Sequence, residues 1–108
     1  MKIIFAVQKN ENWESTIDSR LGRAYGFLVY NQDSDEFTWL SNKINKNAGH
    51  GAGIQAGQTI LETESNMLIT GGDIGPKAMQ VIEKSNMKII MNAGEISVKE
   101  AYDKYVKK

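Results

Sequence analysis

The second half of the chain alternates between short apolar segments and amphipathic segments, and this alternation constrains the fold more than any other feature. Buried strands are predicted at Met67–Thr70 and Lys88–Met91, with helical periodicity before, between and after them. Two strands joined through a helix run parallel and are connected by a right-handed crossover. The pattern therefore predicts an α/β fold whose sheet contains parallel strands.

The first half supplies the rest of the sheet. Lys2–Val7 is almost continuously apolar, which is typical of a central strand buried on both faces. Tyr25–Asn31 and Glu36–Leu40 are separated by a short polar turn and predict an antiparallel hairpin. With the first strand parallel to the last two, the prediction is a mixed five-stranded sheet in the order 3-2-1-4-5, in which strand 2 is antiparallel.

In this topology four loops leave the carboxyl ends of parallel strands, which is the edge where open α/β sheets bind ligands. The first of these loops carries Arg20 and Arg23 around a Leu-Gly pair, a spacing that suits bidentate contact with carboxylate or phosphate. Two solvated surface charges are the alternative for this pair. The predicted binding residues on the four loops are Arg20, Arg23, Gly49, Gly51, Gly53, Gln55, Gly71 and Asn92.

The glycine-rich stretch 47–58 is the densest part of this predicted site. Gly49, Gly51 and Gly53 allow a ligand to approach the backbone, and they lead into a helix whose N-terminus favours an anion. The stretch also holds His50, the only histidine, which could ligate a metal or donate to an anion. A flexible surface loop with one solvated histidine is the alternative interpretation.

Composition excludes several classes of function. The 13 basic residues are balanced by 13 acidic residues, so no overall field favours nucleic acid or a membrane surface. The chain has no cysteine and therefore no thiolate to hold zinc or an iron–sulfur cluster. No apolar run approaches the length of a membrane span, and no leader precedes the first strand. We therefore expect a cytoplasmic protein.

No convincing catalytic set emerges, so we predict that the protein is not an enzyme. The glycines imitate a dinucleotide fingerprint only weakly, because residues 41–49 separate them from the preceding strand, and no P-loop is present. The first strand lacks the carboxylates of a two-metal nuclease, and no serine stands on a nucleophile elbow. Asp73 is interpreted as a helix cap or turn residue, and Trp13 and Trp39 as packing residues.

The chain contains the segments Gly49–Ala56 and Ile74–Ala78 in this order, with four further matching segments around them. Together these segments resemble a known family, the dinitrogenase iron–molybdenum cofactor biosynthesis and carrier proteins, or NifX-like domains. The resemblance spans residues 1–108 as a single domain, and its two most specific segments are Gly49–Ala56 and Ile74–Ala78. The other matching segments are Lys2–Val7, Leu21–Ala24, Phe27–Val29 and Ile69–Gly71.

The resemblance implies a three-layer α/β/α fold of the ribonuclease H-like type, without the nuclease's carboxylates. It also implies a protein that carries an iron–sulfur or iron–molybdenum cluster between donor and acceptor proteins. As a hypothesis, Arg20, Arg23 and the N–H groups of Gly51–Gly53 would hold such a polyanion while His50 ligates an exposed iron. The alternative is a small-molecule anion-binding or regulatory module that uses the same edge of the sheet.

Overall fold

A computed structural model describes residues 1–42 and 51–107, which form a sheet with helices on both faces. The strands are β1 (Lys2–Val7), β2 (Gly26–Asn31), β3 (Glu36–Ser41), β4 (Met67–Ile69) and β5 (Lys88–Ile90). The helices are α1 (Ala52–Glu62), α2 (Pro76–Ile82) and α3 (Val98–Tyr102). A 3-10 turn at Asn12–Glu14 and a π-helical turn at Asp103–Lys107 complete the described elements.

The sheet has the predicted order, β3-β2-β1-β4-β5. β1 pairs antiparallel with β2 and parallel with β4, so that Phe5 lies opposite both Leu28 and Ile69. β3 pairs antiparallel with β2, and β5 pairs parallel with β4. The predicted mixed α/β sheet with an antiparallel strand 2 is therefore confirmed.

Side-chain alternation along β1 divides the core between the two faces of the sheet. Ile4 and Ala6 belong to the core cluster that includes residues of α1 and α2. Ile3, Phe5 and Val7 belong to the cluster that includes residues of α3. All five side chains are completely buried, as expected for a central strand covered on both faces.

The loop after β1, residues 8–25, has more structure than its sequence indicates. Ile17 forms an isolated antiparallel bridge with Val7, and Thr16 forms another with Ser97 at the start of α3. The Ser97 hydroxyl accepts a hydrogen bond from the Glu100 N–H at 3.0 Å, which is typical of a serine at a helix N-cap. These contacts hold the loop against the carboxyl end of β1.

Element ends differ from the sequence expectation by one or two residues. β4 and β5 each end one residue early, at Ile69 and Ile90, because the chain then turns into loops that hydrogen-bond to one another. α1 begins at Ala52, two residues before the apolar periodicity starts at Ile54. Its N-terminus therefore reaches further into the glycine-rich stretch than the periodicity indicates.

Candidate functional site

A cleft of about 480 Å³ lies where the loop after β1 meets the beginnings of α1 and α2. Residues 20–23, 51–54 and 75–78 line it, together with Asp73. Three segments that are far apart in sequence thus meet at one edge of the sheet. This is the edge at which the topology predicted a binding site.

Backbone hydrogen bonds fix the arginine-bearing loop to two strands. The Asp18 N–H donates to the Ala6 carbonyl at 2.8 Å, and the Gly71 N–H donates to the Asp18 carbonyl at 2.9 Å. Asp18 therefore connects the end of β1 to the segment that follows β4. The chain then continues through Ser19 to Arg20, so the position of Arg20 depends on the fixed backbone of Asp18.

Small residues bring the three segments into close contact. A Cβ atom on Gly22 would lie 3.0 Å from the Gly53 backbone nitrogen, so the loop rests directly on the first turn of α1. A Cβ on Gly57 would lie 3.1 Å from the Val81 Cβ and 3.2 Å from the Ala78 carbonyl oxygen. Glycine thus permits the close approach of α1 to α2 as well as that of the loop to α1.

Two helix N-termini open into the cleft without side-chain caps. Gly51, the N-cap of α1, has φ of 78°, a left-handed conformation that glycine adopts without strain. Gly75 is the N-cap of α2, and Pro76 follows at its first position. The first N–H groups of a helix have no partner within that helix, and the helix dipole gives this end a partial positive charge. The backbone of the cleft is therefore suited to an anion.

Among the described residues, three cationic side chains line the cleft: Arg20, Arg23 and Lys77. Arg20 forms a bidentate ion pair with the buried Asp18 carboxylate, with Nε at 3.1 Å and Nη2 at 3.2 Å from its oxygens. Hydrogen bonding to Asp18 and its negative charge raise the pKa of Arg20 above the ordinary value. In the described part of the chain Lys77 has no ion pair.

Among the described residues, Asp73 is the one carboxylate that lines the cleft. Its Oδ1 accepts a hydrogen bond of 2.8 Å from the Asn92 side-chain amide, which joins the loop after β4 to the loop after β5. The interpretation of Asp73 as a helix cap is wrong, because Gly75 is the N-cap of α2 and no side chain caps it. Asp73 instead connects two loops at the edge of the cleft.

The structure brings only some of the predicted site residues together. Arg20, Arg23, Gly51 and Gly53 line the cleft. Gly49 and His50 lie outside the described residues, so their predicted roles stay predictions.

The remaining three predicted residues do not line the cleft. Gln55 is exposed on α1, and Asn92 reaches the site only through Asp73. Gly71 is buried, and a Cβ there would lie 3.0 Å from the carbonyl oxygens of both Asp18 and Gly94. The structure therefore gives Gly71 a packing role between loops.

Lys77 and Asp18 were missed by the sequence analysis. Lys77 follows the Gly-Pro segment in the first turn of α2, a position that predicts exposure at the same edge of the sheet. Asp18 lies two residues before Arg20, and its Oδ1 also accepts the Arg20 backbone N–H at 2.9 Å. That local turn is typical of aspartate, but the burial of Asp18 follows only from the three-dimensional packing.

The donors in the cleft suit an anion better than a bare metal ion. Among residues 1–42 and 51–107 no three His, Asp or Glu side chains converge as a metal-binding group. Over the same ranges, none of the helices has the length and apolar character needed to cross a bilayer. The described site therefore consists of cations, backbone N–H groups and one carboxylate.

Comparison with known families agrees with this architecture. Residues 1–108 match the family described as "Dinitrogenase iron-molybdenum cofactor". The chain belongs to this family. No curated protein sequence matches the chain significantly. The NifX-like resemblance is thus confirmed, and the family description associates the domain with the iron–molybdenum cofactor.

Solved structures of this family's fold are closely similar. The apo form of the orange protein from Desulfovibrio gigas superposes with a TM-score of 0.89 at 26% identity, covering 98% of this chain and 87% of that one. An NMR structure of a Thermotoga protein of the DUF35 family gives a TM-score of 0.79 at 21% identity, with 98% and 87% coverage. The crystal structure of PH0822 superposes with a TM-score of 0.74 at 12% identity, covering 99% of this chain and 91% of that one. The last two similarities support the fold alone.

Proposed function

We propose that this member of the iron–molybdenum cofactor family is a non-enzymatic carrier that binds an anionic iron–sulfur or iron–molybdenum cluster in the cleft. One observation carries the proposal: among the described residues, three cationic side chains and two helix N-termini with glycine N-caps line one cleft of about 480 Å³. A bulky polyanion is complementary to a cleft lined by cations and backbone N–H groups. Its cargo is a substrate that arrives and leaves intact.

The chemistry of the cleft favours binding without permanent attachment. Charge-assisted hydrogen bonds from guanidinium and ammonium groups are stronger than neutral ones, and backbone N–H groups at helix N-termini add further donors. The sequence has no cysteine, so no thiolate from this chain bonds covalently to iron. Binding through hydrogen bonds and charge permits release to an acceptor protein, as a carrier requires.

His50 is the proposed protein ligand of an exposed iron atom. It directly precedes Gly51, the N-cap of α1 and a residue of the cleft lining. A single imidazole supplies one coordinate bond, which is exchangeable against the ligands of a partner protein. In this proposal a donor protein delivers the cluster and an acceptor protein removes it, without nucleic acid or a membrane.

The direct test is anaerobic co-elution. The protein is mixed with a labile iron–sulfur or iron–molybdenum cluster and passed through gel filtration, and iron and molybdenum are assayed in the protein peak. We expect stoichiometric metal in the wild-type peak and a large loss in the double variant Arg23→Gln, Lys77→Gln. Lys84→Gln, Lys88→Gln is the matched control, because it removes the same charge at exposed positions outside the cleft.

His50→Ala separates the carrier from the second candidate, a small-molecule anion-binding or regulatory module. That candidate is favoured by the donor set itself, because cations and N–H groups also suit phosphate or carboxylate. Loss of cluster binding with retained pyrophosphate binding supports ligation by His50. If the His50→Ala protein retains cluster binding and pyrophosphate binding equally, the assignment of His50 as an iron ligand is contradicted. A metal-free wild-type peak with several clusters contradicts the carrier function.

A further inference from the structure

Asp18 is a buried carboxylate at the base of the proposed cluster site. Its side chain is 1% exposed, whereas the Arg20 side chain with which it pairs is 57% exposed and lines the cleft. The two carboxylate oxygens accept from Arg20 Nε at 3.1 Å and Nη2 at 3.2 Å, and Oδ1 also accepts from the Arg20 backbone N–H. Asp18 thus directs its charge at a cation of the cleft.

The pairing leaves part of Arg20 available to a ligand. A guanidinium has five N–H donors, and Asp18 occupies one on Nε and one on Nη2. The other three donors belong to the end of the side chain opposite Asp18. An anion that enters the cleft therefore shares Arg20 with a carboxylate that is already present, and it also experiences repulsion from that carboxylate.

The Asp18 carboxylate cannot move away from Arg20 when an anion binds, because hydrogen bonds hold both the N–H and the carbonyl group of Asp18. Its N–H donates to Ala6 at the end of β1, and its carbonyl accepts from the Gly71 N–H. A short side chain on a fixed, buried backbone has little freedom to turn away. Asp73 offers a contrast, since it is exposed and its hydrogen bond is to the neutral Asn92 amide.

We propose that Asp18 is a positioning residue that acts through Arg20, holding its guanidinium in place and competing with the anionic cargo for its charge. Asp18 thereby weakens cargo binding and keeps the cargo exchangeable. This inference rests on the proposed carrier function and adds that the Asp18 charge limits the affinity for the cargo.

Two effects of removing the Asp18 charge oppose each other. Loss of the ion pair gives Arg20 more rotational freedom, which weakens binding, whereas loss of a negative charge beside a cleft-lining cation strengthens it. The charge effect grows with the charge of the anion, while the cost of ordering one side chain does not. For a multivalent anion we therefore expect the charge effect to dominate.

The test is anaerobic titration with two probes, pyrophosphate and a synthetic four-iron, four-sulfur cluster that carries thiolate ligands. Asp18→Asn should lower the Kd for both by about threefold or more, because it removes a unit negative charge that repels the anion. Arg20→Gln should raise the Kd, and the double variant should lie between Arg20→Gln and wild type, because it lacks the free Arg20 donors but also lacks the repulsion from Asp18. A merely structural role for Asp18 predicts weaker binding in every Asp18 variant.

Asp18→Ser is the second variant if Asp18→Asn does not fold, since its hydroxyl can still accept the Arg20 N–H while the charge is absent. In the wild-type protein, the Arg20 Nε–H resonance should persist when pyrophosphate saturates the site. Its disappearance, or an unchanged or higher Kd in the folded Asp18 variants, contradicts the inference and leaves the carrier function standing. Absence of binding of either probe by all of the proteins contradicts the carrier function and this inference with it.

Discussion

The two faces of the sheet are covered in different ways. On the α3 face, Trp13 packs against Tyr30, Phe37 and Tyr102 with ring centroids 4.7, 4.9 and 5.1 Å apart. On the α1 and α2 face, contact depends on small residues such as Gly57 and on a loop that rests against a helix. Large aromatic rings fill space and stabilise the fold, whereas small residues bring backbone N–H groups and charged loops together. Both faces have a buried apolar core, and the α1 and α2 face also carries the proposed binding cleft.

Trp13→Ala should have the largest effect on stability and no direct effect on binding. The substitution removes three aromatic contacts on the α3 face, so we expect the free energy of unfolding to fall by about 3 kcal/mol. Urea unfolding measures the loss, with Trp13→Phe as the milder control. A change below about 1 kcal/mol would show that the aromatic cluster contributes less than its contacts indicate.

Gly22→Val should affect stability and binding together, because Gly22 joins the arginine-bearing loop to α1. Its new side chain would meet Gly53 backbone atoms at 3.0 and 3.1 Å, which displaces the loop and costs about 1–3 kcal/mol. Binding of the cluster should weaken in parallel. If a folded Gly22→Val protein binds the cluster as tightly as wild type, the position of the arginine-bearing loop does not determine binding.

Lys77→Gln should weaken binding and leave stability almost unchanged. Lys77 is exposed and lines the cleft, so its loss should raise the Kd for a multivalent anion about three- to tenfold at low salt. The free energy of unfolding should change by no more than about 0.5 kcal/mol. Raising the ionic strength should reduce the difference from wild type, because added salt screens exposed charges. A salt-independent difference would indicate that Lys77 acts through structure.

The smallest effect is expected from Tyr30→Phe at high pH. The Tyr30 hydroxyl donates to the Asp35 carboxylate, and this bond, with burial, raises the pKa of Tyr30 to about 12. Between pH 10 and 12 the unfolded tyrosine ionises while the folded one keeps its proton, so this contribution to stability declines as the pH rises. The urea midpoint of wild type should therefore fall more steeply than that of Tyr30→Phe. Parallel pH profiles would refute this role.

Strand–helix alternation, the hairpin and the assumption that the first strand is central and parallel to the last two together predicted the sheet order, because chain connectivity restricts how parallel strands can pair. The position of the site followed from the same topology, and the structure places Arg20, Arg23, Gly51 and Gly53 around one cleft. These predictions depend on local sequence patterns and on the general rule that crossovers between parallel strands are right-handed.

Contacts between distant segments were not predictable in this way. Gly22 rests on Gly53, and Gly71 lies between Asp18 and Gly94, although these residues are far apart in the sequence. A glycine selected for close packing and a glycine selected for ligand approach have the same sequence signature. The burial of Asp18 and its pairing with Arg20 also depend on the assembled loops, so the sequence indicated the cations of the cleft but not the carboxylate beneath one of them.

Paramagnetic broadening of amide NMR signals by a bound iron–sulfur cluster tests the central claim most directly. An unpaired electron on the cargo broadens nearby resonances, so the loss of signals locates the cluster without any substitution. The account predicts broadening at residues 20–23, 51–54 and 75–78, with sharp signals retained for Trp13, Tyr30 and Tyr102. Two results would contradict the account: broadening centred on the α3 face, or no selective broadening when one equivalent of cluster is present.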